Sequence, residues 1–299
     1  MQRLIILALV GFLAQLVDGS LGMAYGVTST SLLLIAGVAP AAASASVHLA
    51  EVVTTAASGV SHLRFGNVDK QILRRLIIPG SIGAFLGACL VSYLPGNMIK
   101  PYVALFLFTL GIYVFSRFLF FRQIKQAEKE VVAEDGPQKK SRFYTSLGFV
   151  AGFFDASGGG GWGPLTTPIL LTRKQADARK VVGTVDTSEF AIALAASLGF
   201  LISLGWGQVH WEWVIALMIG GVIAAPIAAW IVRMIPSRIL GVVVGGLIIF
   251  TNLRTLLGSF QLIPTDVVLY VYVVFSLIWV FATVFVINQH VRQVKVNKS

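Results

Sequence analysis

The chain has 299 residues, of which 56% are hydrophobic and only 12% charged, with a mean hydropathy of +0.83 and a formal net charge of +10. This excludes an ordinary soluble domain, where about 25% of residues are charged, and makes lipid the solvent for most of the surface. The positive charge does not point to nucleic acid, because the basic residues lie in short loops between apolar segments rather than on one polar face, and the single cysteine, Cys89, excludes an intrachain disulfide or a cysteine-rich metal site.

In chain order, the first apolar stretch, 4–37, is interrupted near its middle by Asp18-Gly-Ser-Leu-Gly22. Its start has the outline of a signal peptide, but cleavage would remove part of a segment that recurs later, so it is read as retained. Segments 47–63, 72–94 and 98–121 are each near the ~20 residues of a bilayer-crossing helix. A polar linker, 122–142, precedes a second interrupted stretch, 143–172, broken by Asp155-Ala-Ser-Gly-Gly-Gly-Gly161. Segments 183–204, 213–233, 238–257 and 265–288 complete seven uninterrupted spans. Each half of a broken stretch, at ~15 residues, suits a re-entrant hairpin or a discontinuous helix. Trp206, Trp211 and Trp213 flank a short loop and read as interfacial anchors.

The two broken stretches are copies of one another. Gly11 to Thr30, GFLAQLVDGSLGMAYGVTST, overlays Gly148 to Thr167, GFVAGFFDASGGGGWGPLTT, matching Gly11 with Gly148, Asp18 with Asp155, Ser20 with Ser157, Gly26 with Gly163 and Thr30 with Thr167. Farther on, His48-Leu-Ala-Glu51 falls on Asp186-Thr-Ser-Glu189, and Pro95 on Pro236. This internal repeat divides the chain into a first repeat, 1–121, the linker 122–142, a second repeat, 143–257, and a C-terminal helix with its tail, 258–299. If each broken stretch returns to the side it entered, 20 of the 23 lysines and arginines lie on one side, leaving Arg3, Lys100 and Arg254 on the other. The positive-inside rule makes the crowded side cytoplasmic, the N-terminus external and the C-terminus cytoplasmic. The fold class expected is an all-α polytopic membrane protein of two inverted repeats, each a broken or re-entrant helical hairpin plus three transmembrane helices, with one extra C-terminal helix.

Five acids fall inside apolar segments: Asp18, Glu51, Asp155, Asp186 and Glu189. A charged group at membrane depth costs ~3 kcal/mol or more, and no lysine or arginine lies centrally enough to pair with these. Asp18 and Asp155 each suit the N-cap of a second half-helix, and because an acid there also sits at the mouth of whatever that helix end binds, both count among the expected substrate-binding residues. His48 with Glu51, and Asp186 with Glu189, are three apart and share a helix face, forming a coupling pair or polar gate. His48 alone reads equally as a hydrogen-bonded interhelical residue. The histidines have no zinc-ligand spacing, and neither a metal nor a cofactor is expected. Gly158, Gly159, Gly160 and Gly161 form no phosphate loop, because no GK[ST] follows. They let the chain turn and let N–H groups approach a ligand at a helix N-terminus. With Ser20, Thr28, Ser29, Ser157, Thr166 and Thr167 adding hydroxyls, the expectation is a substrate site for a small anion that uses no fixed cation.

The paired DGSLGMAYG and DASGGGGWGP motifs, HLAE, and the stretch Ser58 to Asp69, SGVSHLRFGNVD, resemble the TauE/SafE (TSUP) family of sulfite and organosulfonate exporters over essentially the whole chain. The first hairpin departs from the second in lacking the four-glycine run and in having Ser31 where the second has Pro168. The resemblance implies a permease of the bacterial inner membrane for small sulfur-containing anions, working by export and alternating access. A potential negative inside drives a monovalent anion outward without a coupling ion. The partners expected are the anion and the bilayer, with a homodimer compatible and no nucleic acid. Two other readings stand beside it: a proton- or cation-coupled uptake carrier for another small anion, and an intramembrane enzyme using Asp18, Asp155 and His48. Inverted repeats give an enzyme no evident benefit.

Overall fold

The computed structural model describes residues 2–21, 23, 25–120, 137–171, 178–231, 237–260 and 264–296, so most of the expected linker lies outside the described residues. These residues form helices and no strand: α1 (Gln2–Leu21), α2 (Tyr25–Ile35), α3 (Pro40–Arg64), α4 (Lys70–Tyr93), α5 (Gly96–Phe120), α6 (Pro137–Gly158), α7 (Trp162–Leu171), α8 (Ala178–Leu204), α9 (Trp211–Ile231), α10 (Ser237–Phe260) and α11 (Thr265–Val296). In hydrocarbon the backbone must satisfy its own hydrogen bonds, which is why so apolar a chain is helical nearly throughout.

Among the described residues, five helices are long and apolar enough to cross a membrane: α4, α5, α8, α10 and α11. Of the seven spans expected from sequence, 47–63 does not qualify, and 213–233 lies partly outside the described residues. The first belongs to α3, whose alanines, serines, threonines, His48 and Glu51 dilute its apolar character. For the second, a shorter apolar helix, Trp211–Ala224, is seen. The interrupted stretches break unevenly rather than in half. Their first arms, α1 and α6, have 20 and 22 residues, and their second arms, α2 and α7, have 11 and 10.

The packing pairs recur in matched form. α1 packs along α9 as α6 packs along α4, α2 touches α3 as α7 touches α8, while α3 lies against α8 and α5 against α10. Glycine makes the first of these contacts close, as small residues do between membrane helices. A Cβ at Gly11 would strike the backbone of Leu217, and one at the matched Gly148 would lie 2.9 Å from the carbonyl oxygen of Leu76. A Cβ at Gly80 would meet Ile192 and Trp162, and one at Gly221 would meet Thr54 and Tyr25. α11 stands outside this arrangement, touching α10 and leaving most of its surface exposed.

Helix ends are satisfied locally. Asp69 caps α4, its carboxylate accepting from the N–H of Gln71 and Ile72 at 2.9 and 3.1 Å. Arg238 donates to the carbonyls of Phe118 and Leu119 at 3.1 and 2.7 Å, placing a cation at the negative end of α5. Trp206 and Trp211 stack with ring centroids 5.4 Å apart on an exposed corner, whereas Trp213 packs partly into the core.

Candidate functional site

Both helix breaks are organised by the matched acids. Asp155 Oδ1 accepts from the N–H of Gly161 and Trp162 at 2.6 and 2.8 Å, and its own carbonyl accepts from Gly160 N–H at 2.9 Å. Asp18 Oδ1 accepts from the N–H of Tyr25 at 3.3 Å. Tyr25 opens α2 and Trp162 opens α7, so each acid satisfies the first free donor of the second arm and sits at its partially positive end. The openings are tied farther in: Trp162 Nε1 donates to Val185 O and Ser188 Oγ at 3.2 and 3.1 Å, and Tyr25 OH donates to Leu217 O at 3.5 Å.

The two breaks also touch. A Cβ at Gly26 would lie 2.8 Å from Gly160 Cα and 3.0 Å from Glu51 Oε1, and one at Gly160 would strike the backbone of Gly26 and Val27. Gly159 and Gly160 have φ of 71° and 146°, conformations that side chains disfavour. Thr30 Oγ1 donates to Gly159 O across the same crossing. The glycine run thus serves the backbone-to-backbone contact between the repeats, and the N–H groups of Gly160, Gly161 and Trp162 are taken by Asp155.

Oδ2 of Asp155 faces His48 Nε2 at 3.0 Å, while Glu51 Oε2, one turn away on the same helix, is 4.0 Å from that nitrogen. His48 Nδ1 lies 2.8 Å from Ser44 O, and Ser44 Oγ donates to Ala156 O at 2.7 Å. A carbonyl oxygen only accepts, so Nδ1 carries a hydrogen toward Ser44 O, and Nε2 is the nitrogen within hydrogen-bond reach of the Asp155 carboxylate. Both side chains are buried, and the pair links α3 of the first repeat to α6 of the second.

A second cluster adjoins it. Asp18, Asp186 and Glu189, all buried, each present a carboxylate oxygen, and the three oxygens lie within 4.8 Å of one another. At that spacing two full negative charges repel by roughly 3 kcal/mol even at an effective dielectric of 20. Among the described residues, the ion-pairing partners of the buried acids are His48 and His62, the latter with its Nε2 3.6 Å from Asp186 Oδ2.

The hydroxyls divide. Thr28 Oγ1, Ser29 Oγ and Thr167 Oγ1 are buried with no hydrogen-bond partner, whereas Thr166 Oγ1 is bonded back to Trp162 O. Ser157 Oγ donates to Phe153 O at 2.7 Å and lines, with Gly158, Phe106, Phe153 and Phe154, a cavity of about 200 Å³ between α4, α5 and α6. That cavity is apolar and unsuited to an anion. The side chain of Ser20 lies outside the described residues.

Sequence reasoning passed over Tyr25, Trp162, Ser44, Ser188 and His62. Tyr25 and Trp162 were legible as aromatics at matched positions of the repeat, seven residues after the matched acids. Ser44 stands one turn before His48, but its bond to Ala156 spans 112 residues and leaves no local pattern.

A polytopic helical protein whose repeats cross at broken helices and enclose ionisable groups belongs to the class of membrane transporters rather than of soluble binding proteins. The family is given by the sequence itself: residues 7–255 match the family described as sulfite exporter TauE/SafE, and the chain belongs to it. It is 60% identical over 290 residues to the Bacillus subtilis (strain 168) protein named probable membrane transporter protein YtnM, covering 97% of this chain and 94% of that protein. It is also 24% identical over 241 residues to the probable membrane transporter protein YdhB of the same organism, covering 79% and 93%. No solved structure matches the chain. It is therefore a multi-pass membrane transporter.

Proposed function

We propose that the chain exports small sulfur-containing anions, sulfite or organosulfonates, across the bacterial inner membrane through a midplane site between two inverted repeats. The observation that carries this reading is the meeting of two helix N-termini, α2 and α7, at the Gly26–Gly160 crossing, each held by a matched buried aspartate. Such termini favour negative charge, and the unpartnered hydroxyls of Thr28, Ser29 and Thr167 supply further donors. Asp155 keeps the α7 terminus satisfied between substrates, and an incoming anion competes for the N–H groups of Gly161 and Trp162. Since the acids and hydroxyls are buried, entry requires one repeat to move against the other, with the extra helix α11 and the cytoplasmic tail as bystanders. Export of a monovalent anion gains about 2.3 kcal/mol per 100 mV from a potential negative inside.

A second reading, uptake coupled to protons or cations, is favoured by the surplus of buried carboxylates over cationic partners. Ligand-induced thermal shifts of the purified protein with sulfite, thiosulfate, sulfoacetate, taurine and sulfolactate test the substrate class. Saturable stabilisation by one of these over chloride at equal ionic strength is expected, and none by any of them would remove sulfur anions as the ligand.

A further inference from the structure

We propose that Asp18, Asp186 and Glu189 form an oxygen-donor site for a hard metal cation of sodium or calcium size, built between the two repeats. Asp18 comes from α1, in the first repeat, and the other two from α8, in the second. Their oxygens all lie within 4.8 Å of one another, inside the largest separation, ~4.8 Å, that two ligands at about 2.4 Å from one ion can have. Asp18 gives Oδ1 to the N–H of Tyr25, which leaves Oδ2 for the ion.

An independent observation comes from Gln15. It is 3% exposed, and its Oε1 has no hydrogen-bond partner. Gln15 lies three residues before Asp18 on α1, which puts the two side chains together on one helix face. A buried amide oxygen without a donor is costly, and oxygen of this kind is what a hard cation binds as a neutral ligand beside carboxylates. Asp186 Oδ2 likewise has no hydrogen bond, with His62 Nε2 at 3.6 Å, while Ser58 hydrogen-bonds to the same carboxylate group. A divalent ion offsets two of the three carboxylates and a monovalent ion one, with the His62 imidazole facing Asp186. No thiolate or imidazole nitrogen belongs to the trio, so a soft or borderline metal such as zinc is not the occupant. An ion here would tie α1 to α8 and place positive charge beside the α2 terminus. That coupling role rests on the carrier reading above, whereas the site itself does not.

The test uses the full chain purified in detergent at mildly alkaline pH. Melting is followed with sodium, calcium or magnesium chloride, each against choline chloride at equal ionic strength. A saturable rise in Tm of roughly 5 °C is expected with sodium or calcium, and whichever acts is the occupant. Asp186→Asn and Glu189→Gln should weaken the apparent affinity at least about tenfold, and Gln15→Leu should weaken it less. Glu212→Gln, at an exposed carboxylate, should respond like the wild type. If the core variants do not fold, equilibrium dialysis of the wild type with radiolabelled sodium or calcium decides: one ion per chain is expected, and none bound overturns the site. An undiminished response in a folded Glu189→Gln protein, or stabilisation that acid pH supplies equally well without metal, overturns it too. Ion binding without any sulfur-anion flux would keep the site and remove the transport reading, and flux without a bound ion would do the reverse.

Discussion

His48 Nε2 and Asp155 Oδ2 stand 3.0 Å apart, joining residues 107 positions distant and two different repeats through one buried hydrogen bond. The same carboxylate caps α7, so Asp155 couples the imidazole of one repeat to the helix terminus of the other. Asp155→Asn retains an oxygen for the cap but leaves His48 without its charge partner. Breaking a buried pair of this kind costs about 3–5 kcal/mol. Asp155→Asn and His48→Gln should each lower the melting temperature, and the double variant should be barely worse than the poorer single one. Additive losses, measured by thermal unfolding in detergent, would mean the two act separately.

The crossing at Gly26 and Gly160 is a packing contact. Gly160→Ala places a Cβ against Gly26 and Val27 at φ 146° and should sharply reduce monodisperse protein on size exclusion, with Gly26→Ala milder. Gly207→Ala, which meets nothing within 4 Å and has no positive φ, is the neutral control. Gly159 sits at φ 71° against Thr30, so a bulky residue there disturbs the fold as well as any ligand contact.

One contact has no counterpart in the other repeat. Asn252 Nδ2 donates to Ser31 Oγ at 2.7 Å, fastening α2 to α10. Ser31 matches Pro168, and the register of Pro95 on Pro236 sets Gly111 opposite Asn252, so the second repeat cannot make this bond. Ser31→Ala and Asn252→Ala should lower stability by about 1 kcal/mol, with no further loss on combination. Equal and additive losses would show that the bond is not the shared cause.

Much of this arrangement could be read from the residues. The matched Asp18 and Asp155 pointed to a cap at each second arm, because an internal repeat constrains each copy by the other. His48 was less legible. The three-residue spacing pointed to Glu51, yet Glu51 is the more distant carboxylate and Asp155 the nearer. Periodicity reports neighbours on one helix and carries nothing about which helices meet. For the same reason spacing alone did not say which of the acids gather, Asp18 with Asp186 and Glu189, and the glycine run, read as a ligand approach, also meets the backbone of the other repeat.

The charge bias predicts sidedness. In a Cys89→Ala background, Gly207→Cys should react with an impermeant thiol reagent on intact cells, and Phe65→Cys, at a residue 78% exposed in the loop before α4, only after permeabilisation. Labelling of position 65 from outside would reverse the orientation.

Glu51 and Glu189 separate coupling from structure. If they carry coupling protons, Gln at both fixes them neutral, so flux loses its response to an imposed proton gradient while exchange of labelled substrate persists. A gradient response equal to that of the wild type in the folded double variant would exclude proton coupling through these residues.

The central claim is tested most directly by flux of a labelled sulfur anion in proteoliposomes holding the purified chain. The account predicts saturable movement of sulfite or an organosulfonate, chemically unchanged, accelerated by a potential negative on the side of origin and lost in Asp155→Ala. Flux no faster than in empty liposomes for every sulfur anion tested, or recovery of the substrate in altered form, would contradict it.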